Sequence, residues 1–112
     1  MKNRKKEIMK KVGKTLQEID EILNNVENIK IGRSKKIKMQ HLLLEVFSMS
    51  VKLKKKFNII KYIIAIEQKV AKMETANIKE NNILIYILEY KIFTLKEMLL
   101  RLYQHLQDKE GR

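Results

Sequence analysis

Apolar residues recur at three- and four-residue steps through most of this chain. Ile8, Val12, Leu16, Ile19, Leu23 and Val26 form one such stripe. That spacing is the pattern of an amphipathic helix. Lys6, Lys10 and Lys14 stand one turn apart on the opposite face. The pattern predicts a first helix over residues 4–28. Gly13 weakens it by up to ~1 kcal/mol relative to Ala but is too isolated to stop it.

Residues 28–34 form the best loop. Gly32 suits a left-handed turn, and Ser34 suits the N-cap of the next helix. That second helix is predicted over 35–57. Wound at ~100° per residue, its polar positions Lys38, His41, Glu45, Ser48, Lys52 and Lys56 fall on one narrow strip. Apolar residues cover the remaining girdle, so this helix must be packed on more than one side.

Asn58 marks a boundary, and a third helix is predicted over 58–75. Ile59, Tyr62, Ile63, Ile66, Val70 and Met73 share its apolar face, with Lys61, Gln68, Lys69 and Lys72 opposite. Asn77 followed by Glu80 has capping-box spacing, which starts a fourth helix over 78–108. Leu88, Ile92, Leu95, Leu99, Leu102 and Leu106 then make a heptad seam. The β-branched stretch Ile83–Ile87 has no turn signal after it, so it reads as part of that helix. Proline is absent, and glycine stands only at 13, 32 and 111, so long helices are the default. The expected fold is all-α. It is one domain, 1–112, built as an antiparallel bundle of three or four long helices, with the C-terminal helix as a surface for a dimer.

Charge changes this picture. The chain has 112 residues and a formal charge of +12. Basic groups crowd residues 1–14, 30–38 and 52–61, and acids are almost absent from those runs. Such a concentration of like charge calls for a polyanionic partner. Lysines outnumber arginines 21 to 4, and lysine neutralises phosphate without reading base identity. The candidate nucleic-acid-binding residues are Lys6, Lys10, Lys14, Lys30, Arg33, Lys35, Lys36, Lys38, Lys52, Lys54, Lys55, Lys56 and Lys61. If the first two helices pair as a hairpin, the first and third runs meet at one end, and the 30–38 run lies at the other. Phe57 and Tyr62 are the only aromatic side chains near these runs. Four arginines are few for bidentate base contacts. Solvated faces that keep the protein dissolved are the plain alternative. The Lys and Ile bias also fits an A/T-rich genome, such as that of a low-GC bacterium, its phage or a plasmid.

Candidate chemistry is thin. Cysteine is absent, so no disulfide forms, which fits a reducing interior. The basic start runs into Glu7 rather than an apolar segment, so no secretory signal is read. No apolar run reaches the ~20 residues of a membrane span. His41 and Glu45 stand four apart on the polar strip, but two ligands do not make a metal site. Arg101 and His105 are separated by three residues. Ribonucleases built on helical bundles keep four to six there, so that pattern is missed. No metal, cofactor or enzymatic activity is expected.

Tyr86, Ile87, Tyr90, Phe93 and Met98 spill beyond the leucine seam. They are the expected protein interface, for a homodimer or another protein. The function expected is therefore a non-enzymatic, cytoplasmic protein that holds nucleic acid or a ribonucleoprotein by its backbone. Small basic chains of this kind suit accessory proteins of phages and mobile elements, including anti-CRISPR inhibitors of nucleic-acid-guided defence. The alternative is a protein-interaction bundle without nucleic acid. In size and class the chain is similar to bacteriocin-immunity proteins, which implies work at the inner membrane face. A membrane surface is the lesser partner.

Overall fold

The computed structural model describes residues 3–110, and Lys2 of the first basic run lies outside them. Four helices pack against one another: α1 (Asn3–Val26), α2 (Arg33–Leu53), α3 (Ile60–Lys72) and α4 (Ile83–Glu110). The bundle is a rod of 51 × 21 × 20 Å. No helix among the described residues is long and apolar enough to cross a membrane.

Each helix buries the stripe its sequence carries. Val12, Leu16, Ile19, Leu23 and Val26 of α1 enter the core, as do Ile63, Ile66 and Val70 of α3. Leu88, Ile92, Leu95, Leu99 and Leu102 of α4 are fully enclosed within the chain's own bundle. Met39, Leu43, Val46 and Leu53 carry the core side of α2. Ser50 is buried there too, and its hydroxyl donates to Val46 O at 2.8 Å, which satisfies it. Tyr62, expected on the buried face of α3, is instead 51% exposed.

Neighbours in the bundle are not neighbours in sequence. α4 lies against both α1 and α2, α3 lies against α2 and α1, and α1 does not run along α2. The first two helices thus form no packed hairpin. Lys35 meets Glu89 and Glu45 meets Lys96, so α2 and α4 run in the same sense. Asp20 meets Lys69, and the segments that leave α1 and α3 pair at the same end, Ile31 opposite Thr75, so these two also run together. α1 and α4 run oppositely, with Arg4 and Asp108 across one cleft. Uniformly antiparallel neighbours, as expected from the sequence, are therefore not what these contacts give. Any apolar stripe of this width fits any seam of the bundle, so periodicity does not choose the partner.

Two connections cross the same end of the rod and hydrogen-bond to each other. Ile31–Gly32 and Thr75–Ala76 form a short parallel pair, with Ile31 opposite Thr75 and Gly32 opposite Ala76. Ile31 N donates to Glu74 O at 2.9 Å. Gly32 is extended (φ −60°, ψ 139°) and not left-handed, and Ser34 lies inside α2 rather than at its cap. Glycine is needed there for approach: a Cβ would sit 3.0 Å from Ile78 O. The expected box at Asn77 and Glu80 does not start α4. Asn82 does, its Oδ1 accepting Leu84 N at 2.9 Å. Glu80 is buried and joins the crossing strands instead. α2 ends at Leu53, short of Phe57, and Lys54–Lys56 form a turn. Asn58 Oδ1 accepts Ile60 N at 3.3 Å, which opens α3.

Candidate functional site: the basic half of the bundle

The Lys96–Glu45 ion pair and Gly13 mark a level near the middle of the rod. Below it lie the start of α1, the end of α2, the 54–59 turn and the end of α4. This half carries Arg4, Lys5, Lys6, Lys10, Lys11 and Lys14 on α1. It carries Lys52, Lys54, Lys55 and Lys56 around the end of α2, with Lys61 and Arg101 beside them. Against these twelve cations stand Glu7, Glu97 and Asp108, and the last residues of α4 add one charge of each sign, Lys109 and Glu110. Above the level, ten cations meet nine carboxylates. Charge is thus polarised along the long axis, with about nine net positive charges below the level and one above it.

Ion pairing follows the same division. Lys35–Glu89 (3.0 Å), Lys69–Asp20 (2.6 Å), Lys91–Glu18 (3.3 Å) and Lys96–Glu45 (3.1 Å) all fall at or above the middle. Among the described residues, none of the twelve cations of the basic half is paired with a carboxylate. Lys52 and Lys61 instead lie over the rings of Tyr103 and Tyr62, at 5.4 and 5.2 Å. Such cation–π contacts leave the positive charge uncancelled.

The thirteen lysines and arginines expected from sequence therefore separate. Lys6, Lys10, Lys14, Lys52, Lys54, Lys55, Lys56 and Lys61 come together on the basic half. Lys30, Arg33, Lys35, Lys36 and Lys38 lie in the balanced half. Two of these have internal partners. Lys35 is held by Glu89 and sits 4.5 Å above the Tyr86 ring. Lys36 donates to Ala71 O and Met73 O, both at 2.8 Å. It closes the C-terminus of α3, where orphan carbonyls and the helix dipole favour a cation. A lysine run reads as a solvated face, so neither role is visible in sequence.

Arg4, Lys5, Lys11 and Arg101 complete the basic half but are not singled out by helical spacing. Arg4 and Lys11 line a cleft of about 510 Å³ with Arg101 and His105, flanked by Glu7 and Asp108. Arg101 and His105 thus serve one cleft between α1 and α4. His41 and Glu45 do not pair, because Glu45 turns to Lys96. No group of three or more His, Cys, Asp or Glu able to hold a metal occurs among the described residues.

A second groove, of about 560 Å³, runs between α1 and the start of α3. Met9, Gly13, Leu16, Phe57 and Tyr62 line it. Tyr86, Ile87, Tyr90 and Phe93 are exposed along α4, while Met98 is buried at 9% and belongs to the core. Met98 therefore leaves the expected interface, and Ile83, 71% exposed, extends the same face.

No family model matches this chain, and neither a curated protein nor a solved structure matches it. What the basic half can do follows from its own chemistry. Unpaired ammonium groups on flexible stems bind phosphate oxygens as point charges and release condensed counterions.

Proposed function

We propose that this is a non-enzymatic, cytoplasmic protein whose basic half holds the phosphate backbone of a nucleic acid, alone or within a ribonucleoprotein. One observation carries the reading: twelve cations share one half of the rod and none is neutralised by a carboxylate among the described residues. A solvated face needs no such segregation, and the other half shows the ordinary mixture. Backbone contact without base readout suits an accessory protein of a phage or mobile element. An inhibitor of a nucleic-acid-guided defence complex, such as an anti-CRISPR, is the specific form we favour.

The test is affinity for a labelled oligonucleotide as a function of salt. About six phosphate contacts give a log–log slope near −4 on a single strand and near −5 on a duplex. Affinity then falls by roughly 10²- to 10³-fold between 50 and 200 mM salt. A binding curve indifferent to salt removes the proposal.

The exposed face of α4 supports a second reading. Tyr86, Ile87, Tyr90 and Phe93 offer an apolar, aromatic-rich surface of the composition that interfaces favour. It suits a homodimer or a protein partner, as in the bacteriocin-immunity alternative at the inner membrane face. Pull-down after nuclease treatment, together with flotation on anionic vesicles, distinguishes that alternative. A nuclease-resistant protein partner with no binding of DNA or RNA favours it.

A further inference from the structure

Gly13 sits in the middle of α1, where glycine weakens a helix, and the fold gives no reason for it. A Cβ there would meet nothing within 4 Å, and the backbone is not left-handed. The open space above it is the groove between α1 and the start of α3. The walls of that groove are mostly apolar and aromatic, with Met9 and Leu16 on one side and Phe57 and Tyr62 on the other; Gln17 and Asn58 also line it, and the carboxylate of Asp20 at its upper end is held by Lys69. Tyr62 is 51% exposed although its helix carries a full apolar stripe, and only the mobile end of Lys61 lies over its ring.

The densest cations of the protein border the same groove. Lys10 precedes Gly13 by one turn and Lys6 precedes Met9 by one turn, so both share that side of α1. Lys54, Lys55 and Lys56 lead directly into Phe57, and Lys61 stands beside Tyr62 with its Nζ 5.2 Å from the ring. A largely apolar slot with a half-exposed aromatic ring, bordered on both sides by unpaired lysines, combines the two elements that bind single strands. Aromatic faces take bases of any identity, and lysines follow the backbone. A duplex keeps its bases stacked inside and cannot use the slot.

We propose that this groove receives an unstacked base of a single-stranded nucleic acid, with the flanking phosphates on Lys6, Lys10, Lys54–Lys56 and Lys61. This inference rests on the polyanion reading above and narrows its substrate to single strands. Gly13 then has a role: its missing side chain leaves the floor of the slot open for the base edge.

The test compares fluorescence anisotropy on a 20-nucleotide oligothymidine, a 20-nucleotide oligouridine and a 20-base-pair duplex at equal salt. At least one single strand is expected to bind about tenfold tighter than the duplex. Tyr62→Ala should weaken single-strand binding by roughly tenfold and leave duplex affinity unchanged. Gly13→Leu should do the same by filling the slot. Circular dichroism verifies its fold, and Tyr62→Ala decides the matter if Gly13→Leu fails to fold. Duplex binding as tight as both single strands overturns the inference, as does single-strand affinity indifferent to Tyr62→Ala. In either case binding that remains steeply salt-dependent leaves the polyanion reading standing. Absence of salt-dependent binding to all three probes overturns both.

Discussion

Gly32 donates its backbone N–H to the buried carboxylate of Glu80, with Oε1 at 2.9 Å, although the two stand 48 positions apart in sequence. The same carboxylate accepts Asn82 N through Oε2 at 3.1 Å, and Glu80 O accepts the Tyr86 hydroxyl at 2.7 Å. One residue thus joins the strand leaving α1 to the segment entering α4. Removing it leaves a buried N–H without an acceptor. Glu80→Ala is expected to cost about 2–3 kcal/mol, or roughly 10 °C in Tm for a domain of this size. Glu80→Gln keeps an acceptor and should lose less than half of that. Thermal unfolding followed by far-ultraviolet circular dichroism measures both, and an unchanged Tm for Glu80→Ala contradicts the assignment.

Lys36 provides a contrast within a single lysine run. Its ammonium closes α3 through two carbonyls, whereas Lys38, two residues on, is exposed. Lys36→Ala should lower stability by about 1 kcal/mol, close to 4 °C, and leave nucleic-acid affinity within about twofold. Lys38→Ala should leave Tm within about 1 °C. A denaturant or thermal series on the two variants separates a structural lysine from a solvated one.

These two cases also show how far the sequence can be read. The four helices and most of their buried stripes are legible because a helix writes its period locally, every three or four residues. Helix α4 loses its first five expected residues because Asn82 out-competes Asn77 as a cap, and capping depends on where Glu80 is drawn. The choice of α4 rather than α2 as the partner of α1 is not legible, since it depends on the crossing connections and hence on Gly32 and Glu80. The basic half is partly legible. Lys52–Lys56 and Lys6–Lys14 announce themselves as runs, but Arg101 lies alone in a balanced helix and joins them only when α4 returns beside α1.

Glu67 predicts a pH dependence. Its Oε1 is buried without a hydrogen-bond partner, in a shallow cavity of about 410 Å³ that Gln40 and His41 also line. Burial raises its carboxyl above the ordinary value of 4.5. The folded protein therefore favours the protonated acid. As pH rises above about 4.5 the unfolded chain releases its proton first, so this group lowers stability across that window and stays unfavourable at neutral pH. Glu67→Gln should raise Tm by about 2 °C at pH 7, and the gain should vanish below pH 4.5. A gain of equal size at pH 4 and pH 7 shows that burial of charge is not its cause.

The exposed face of α4 predicts self-association. Tyr90 is 68% exposed and Phe93 is 42% exposed, although both sit on a helix whose opposite face is fully buried. If two copies meet there, sedimentation at micromolar concentration gives twice the 13.4 kDa chain mass. Tyr90→Ser with Phe93→Ser should then restore the monomer. Because these rings lie outside the core, Tm extrapolated to low concentration should change by less than about 2 °C. A wild-type monomer at all concentrations removes the dimer.

The sharpest test of the polyanion reading holds net charge constant and moves its location. Lys54→Glu, Lys55→Glu and Lys56→Glu together lower the formal charge from +12 to +6. So do Lys30→Glu, Arg33→Glu and Lys38→Glu. Diffuse attraction responds to total charge and predicts equal losses. A site on the basic half predicts unequal ones, because the first set removes three unpaired cations from the crowded end and the second lies where carboxylates already balance the field. The first triple variant should lose at least 10²-fold in oligonucleotide affinity at about 100 mM salt and reduce the log–log slope by about 2 to 3. The second should lose no more than about fivefold. Stability should move the opposite way from binding: relieving repulsion among twelve like charges leaves the Tm of the first variant unchanged or slightly raised. Equal losses in the two variants mean that the protein attracts polyanions with its whole surface and that the basic half is not a site.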